Sequence, residues 1–111
     1  MNRHRTTADY LKALSIEAGE VDYAAIVVGF ERETRFIWSA SPDVADRLEA
    51  LLMAGGRPVA ILGATVAGNA FHWRLDPFEE YAQDEGTRNY LAAIGNAVTR
   101  ILEQRLAAAS N

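Results

Sequence analysis

If the chain reverses at Gly68-Asn69, the residues on either side of that point sort by polarity. A two-residue hairpin turn there sets Val66 opposite Phe71, Ala64 opposite Trp73 and Leu62 opposite Leu75. One face of the ribbon then carries Leu62, Ala64, Val66, Phe71, Trp73 and Leu75, all apolar. The other carries Ile61, Gly63, Thr65, Ala67, Ala70, His72 and Arg74, small or polar. A slip of one residue would scramble this partition, so the register is strongly specified. Gly63 falls across from Arg74 on the less apolar face, where a missing side chain leaves room.

The same stretch invites a competing reading, because Gly63 and Gly68 come after an apolar run as in a phosphate-binding loop. A Walker loop needs Lys and then Ser or Thr after its second glycine, to hold phosphate and magnesium. Here Asn69 and Ala70 occupy those places. A dinucleotide fingerprint needs a third glycine and a helix whose N-terminus receives the pyrophosphate. Residues 70–75 have a strand pattern instead. The glycines belong to a hairpin.

The rest of the chain supplies a second hairpin and three helices. Thr6 and Asp9 have capping-box spacing ahead of Tyr10, Leu11, Leu14 and Ala18, with Gly19 placed to end this first helix. Residues 21–30 and 34–40 are rich in β-branched and aromatic residues and predict a hairpin turning at Arg32 and Glu33. That turn sets Gly29 opposite Phe36 and Val27 opposite Trp38. One face carries Tyr23, Ala25, Val27, Phe36 and Trp38; the other carries Ala24, Ile26, Val28, Phe30 and Ile37. Both faces are apolar, so these strands need cover on two sides. Ser41 as cap, Pro42 and Asp43 open a second helix with Val44, Leu48, Leu51 and Leu52 as its buried stripe and Gly55-Gly56 at its end. Asp76, Pro77 and Glu79 read as a further capping box with proline at the first helical position. Gly86 interrupts, Thr87 recaps, and Tyr90, Leu91, Ile94, Val98, Ile101, Leu102, Arg105 and Leu106 trace a stripe about five turns long. Residues 1–5 are expected to form a disordered basic tail, and 6–111 one domain.

The expected fold class is therefore α+β, a two-layer domain with an antiparallel or mixed four-stranded sheet and the order α-β-β-α-β-β-α. Small signalling and trafficking domains of the roadblock and longin kind are similar in element order alone. The short first helix offers little cover for the second apolar face, so either helices divide between both sides or a second copy of the chain supplies it. The count of available elements favours a homodimer.

Composition narrows the partners. With 15 acids against 11 bases and a net charge of −4, the chain has no basic face for nucleic acid. Ten of the bases are arginine and Lys12 is the one lysine, a pattern that fits codon bias. No cysteine is present, which excludes disulfides, thiolate metal sites and a cysteine nucleophile. The charged N-terminal stretch lacks the apolar core of a secretory signal, and no apolar run approaches the ~20 residues of a membrane helix. A cytoplasmic protein without membrane association is expected.

The strongest local signal is acidic. Asp76, Glu79, Glu80, Asp84 and Glu85 fall within ten residues that contain no base. They can serve helix starts, form a patch for a basic partner protein, or supply oxygen ligands to a metal with His72 nearby. No HExxH or DxDxDG spacing supports the metal, and none is expected. His72 could act as a general base oriented by Asp76, yet no serine or threonine stands in a nucleophile elbow, so no catalytic residue is assigned. Tyr23, Phe36, Trp38, Phe71 and Trp73 are core rings or the lining of a ligand cavity between sheet and helices. The sequence thus points to a non-enzymatic interaction or regulatory module without a cofactor, presenting an acidic edge. The alternative is a small-molecule sensor with a pocket at Trp38, Phe71, His72 and Trp73.

Overall fold

The structure of the protein, a computed structural model, describes residues 6–68, 70–81 and 83–110. The expected basic tail at 1–5 lies outside the described residues, as do the turn residue Asn69 and the side chains of Arg105 and Leu106. The chain folds as α1 (Thr7–Ala18), β1 (Tyr23–Gly29), β2 (Thr34–Trp38), α2 (Val44–Met53), β3 (Arg57–Ala67), β4 (Ala70–Pro77), a 3₁₀ turn (Glu79–Tyr81), α3 (Glu85–Ala93) and α4 (Gly95–Ser110). The four strands form one antiparallel sheet in the order β2-β1-β3-β4. The class is α+β, as the hairpin and helix patterns indicate.

The second hairpin has the register that its polarity dictates, with Val66 opposite Phe71, Ala64 opposite Trp73, Leu62 opposite Leu75 and Gly63 opposite Arg74. Gly68 turns the chain with φ +64°, in the left-handed region that glycine enters without strain. The first hairpin turns one residue earlier than expected, between Phe30 and Glu33, where the Phe30 N–H donates to the Glu33 carbonyl (2.8 Å). Phe36 therefore faces Val27, and Trp38 faces Ala25. This gives the larger ring the smaller neighbour. Because the pairs move by two residues and not one, both faces keep their expected side chains.

Each face of the sheet supports a core. On one side Ala24, Ile26, Val28, Ile37 and Ile61 pack under Tyr10 and Leu14 of α1 and Leu48 of α2. On the other, Ala25, Val27, Ala60, Leu62 and Ala64 pack under Leu91 of α3 and Val98 and Leu102 of α4. The three alanines in this second set keep the sheet surface low, so α4 can seat closely. Helices thus cover both faces, and the sheet-plus-helix pair of layers becomes a helix–sheet–helix stack. Among the described residues no helix is long and apolar enough to cross a membrane.

Three helix boundaries differ from expectation. The helix at 44 begins at Asp43, not Ser41, because the Ser41 N–H is held by the Trp38 carbonyl (3.0 Å) and the Ser41 carbonyl accepts from Val44 (3.3 Å). Asp76 and Pro77 do not start a helix, since the β3–β4 ladder continues through Ala60 and Pro77. Proline is tolerated there because β4 is an edge strand. The stripe from Tyr90 onward is two helices divided at Ile94. Trp73 fills the notch: its ring comes within 3.0 Å of where a Cβ on Gly95 would stand, and its Nε1 donates to Thr99 Oγ1 (3.0 Å).

Gly68→Ala is expected to lower stability by about 1–2 kcal/mol through the left-handed backbone alone, since nothing lies within 4 Å of an added Cβ. Gly68→Asn should cost less, and urea unfolding of the two variants side by side measures the difference.

Candidate functional site

The acidic segment is suspended between two fixed points. At its start, β3 carries a bulge at Val59, where Val27 pairs with Ala60 but Val28 pairs with Pro58. The Val59 carbonyl accepts from Phe78 N–H (2.9 Å). The buried Phe78 ring meets Tyr10 of α1 edge-on at 5.1 Å. At its end, Asp84 caps α3: its Oδ2 accepts from the Thr87 N–H (2.7 Å) and the Thr87 hydroxyl (2.6 Å). Those two bonds, the hydroxyl's first, hold the Asp84 carboxyl below its ordinary pKa, with a smaller contribution from Arg88.

Between these points the carboxylates divide by duty. Asp76 accepts from Arg74 Nε at 3.0 Å, and Asp84 is the cap, so both serve the fold. Glu79, Glu80 and Glu85 are exposed on the 3₁₀ turn and the first turn of α3. The helix-start function expected for the whole cluster therefore falls mainly to Asp84.

A second charged group was not expected from the sequence. Glu17 of α1 is 7% exposed, and its carboxylate accepts from Arg74 Nη2 at 2.8 and 3.2 Å. It lies directly over Gly63, where an added Cβ would stand 1.8 Å from Oε2. The space that Gly63 leaves is thus filled by Glu17 and not by Arg74 alone. Glu17, chiefly, and then Asp76 raise the pKa of the Arg74 guanidinium. The available signal was spacing: Tyr10, Leu14 and Glu17 stand on one helix face, at i, i+4 and i+7.

Of the four residues expected to share a ligand pocket, Trp38, Phe71 and Trp73 pack against one core cluster, and His72 lies on the other face of the sheet. Neighbouring residues on a strand project to opposite faces. His72 is exposed opposite Thr65 and lines a cavity of about 210 Å³ together with Val21, Gly63, Trp73 and Arg74. Asp76 lies four residues along the strand, about 13 Å away, and its carboxylate is turned to Arg74. Trp38 stacks on Phe36 (6.2 Å), while Phe71 meets Tyr23 edge-on (6.4 Å). Trp73 lines a cavity of about 360 Å³ between β4 and α3, with Leu75, Pro77, Arg88, Leu91 and Ala92. A third cavity, about 420 Å³, opens between Phe30, Arg57, Val59 and Tyr90. Its Tyr90 hydroxyl bonds Thr34 Oγ1 across to β2, and burial raises the Tyr90 pKa. Among the described residues no group of three or more His, Asp or Glu side chains is placed to hold a metal ion.

Compared with known protein families, curated proteins and solved structures, the chain matches none.

Gly63→Ala must displace the Glu17 carboxylate and is expected to destabilise by roughly 1–3 kcal/mol in chemical denaturation. Asp84→Ala should lower the melting temperature by a few degrees at neutral pH. A carboxyl whose folded pKa lies below its unfolded value stabilises above that unfolded value and ceases to as pH falls through the folded one. The gap between wild type and Asp84→Ala should accordingly close on acidification, as melts across the acid limb would record.

Proposed function

We propose that this is a non-enzymatic, cytoplasmic interaction module whose segment 76–85 receives a basic partner protein. One observation supports the reading above the others. Glu79, Glu80 and Glu85 stand exposed on a segment anchored at both ends, by Phe78 on Tyr10 and by the Asp84 cap. A rigid mount lets charges meet a partner without the ordering cost of a loose loop. Of the two bases flanking the segment, Arg74 is held by Glu17 and Asp76, and Arg88 makes no ion pair within 4 Å among the described residues. The module is proposed to be homodimeric as well, though helices α1 and α2 on one sheet face and α3 and α4 on the other mean that an uncovered face does not supply the argument for it.

The sensor reading draws on a separate observation, the apolar cavity beside Trp73. A metabolite seated there would change tryptophan fluorescence and raise the melting temperature.

The acidic reading is tested by calorimetric titration with an oligolysine peptide at low and at physiological ionic strength. The triple variant Glu79→Gln, Glu80→Gln and Glu85→Gln leaves the Asp84 cap intact and should bind about tenfold more weakly, with a shallower salt dependence. A control triple, Glu31→Gln, Glu49→Gln and Glu103→Gln, removes the same charge from other exposed positions and should retain affinity. Equal losses in the two triples would reduce the effect to net charge and overturn the proposal.

A further inference from the structure

We infer that the cavity between β4 and α3 seats an aromatic side chain of the same basic partner, so that recognition combines a ring in a pocket with cations on the rim. The inference rests on the acidic-segment reading and adds the partner's second requirement.

The cavity is about 360 Å³, walled by Trp73, Leu75 and Pro77 from β4 and by Leu91 and Ala92 from α3. That is the lower range of small-ligand pockets and ample for one ring. Its walls are almost wholly apolar, with Arg88 as the single charged lining residue. Helical spacing sets what adjoins it. Glu85, Arg88 and Ala92 stand at i, i+3 and i+7 of α3, so a carboxylate lies one turn from the cavity on the same helix face. The segment joining the two walls, from Pro77 to Glu85, adds Glu79, Glu80 and Asp84.

This surround selects among occupants. A free anionic ligand drawn to Arg88 would approach through carboxylates at 84 and 85, and is disfavoured. A cationic chain is attracted by the same charges. An aromatic anchor uses Arg88 as well, because a guanidinium stacks on a ring face while a neighbouring carboxylate offsets its charge. Buried aromatic anchors ringed by complementary charge are where interfaces concentrate their binding energy.

The experiment titrates two lysine-rich peptides that differ at one central residue, phenylalanine in one and alanine in the other. The protein carries Trp38→Phe, leaving Trp73 in the cavity wall as the sole tryptophan reporter. The phenylalanine peptide should bind about tenfold tighter and shift the Trp73 emission. Ala92→Phe, on an exposed helix position, fills the cavity and should abolish the tenfold advantage of the phenylalanine peptide. Equal binding of the two peptides to the unfilled protein would overturn the anchor and leave the acidic segment standing. Binding of neither would remove both readings. If neutral benzyl alcohol shifts Trp73 at concentrations as low as the peptide does, the cavity serves a small ligand and the anchor is again overturned.

Discussion

The central strand pair β1–β3 dictates the rest of the architecture, because β1 is apolar on both of its faces. Ala24, Ile26 and Val28 point one way, Ala25 and Val27 the other, and all five are excluded from water. Burial of such a strand is favourable only if cover exists on each side; otherwise one row of methyl groups remains hydrated at a cost of about 25 cal/mol per Å². Helices α1 and α2 answer one face, α3 and α4 the other. Cover on the second side is what carries α3 past the end of β4 and stretches the acidic segment between them.

Polar contacts then set how each helix sits. Glu17 enters a stripe otherwise filled by Tyr10 and Leu14, and only the pairing of Gly63 with Arg74 on the sheet makes that position tolerable. A nearly buried carboxylate with two hydrogen bonds to a guanidinium is specific in a way that leucine packing is not, since it fixes rotation and translation of α1 together. On the opposite face, Trp73 plays a comparable part toward α4, through Thr99 and the bare backbone at Gly95.

What could be read from sequence was whatever repeats with the period of its own structure. The hairpin at Gly68 tests itself, because six apolar residues align only in one register. The first hairpin had no such test at its turn, where Glu31, Arg32 and Glu33 are all polar, yet the two-residue error left each face intact. Asp76, Pro77 and Glu79 misled because a proline that can open a helix can equally close an edge strand, and only the ladder to Ala60 distinguishes them. Glu17 and the division at Ile94 both depend on partners more than 20 residues away, Arg74 and Trp73, which local pattern does not contain. Exposure of the acidic residues was legible; the cavity beside them was not, since its walls come from β4 and α3 and exist only once those two are placed.

The sheet ends on either side in a strand poorly suited to recruiting another. On one border β2 is five residues long. On the other, β4 sets His72, Arg74 and Asp76 along one face and terminates in Pro77, which has no amide hydrogen to offer. Unpaired backbone at a sheet border is the usual seed for runaway strand addition, and short length, charge and proline are the ordinary deterrents. A chain so apolar at its centre can therefore be crowded against its own copies with little tendency to zip into fibrils.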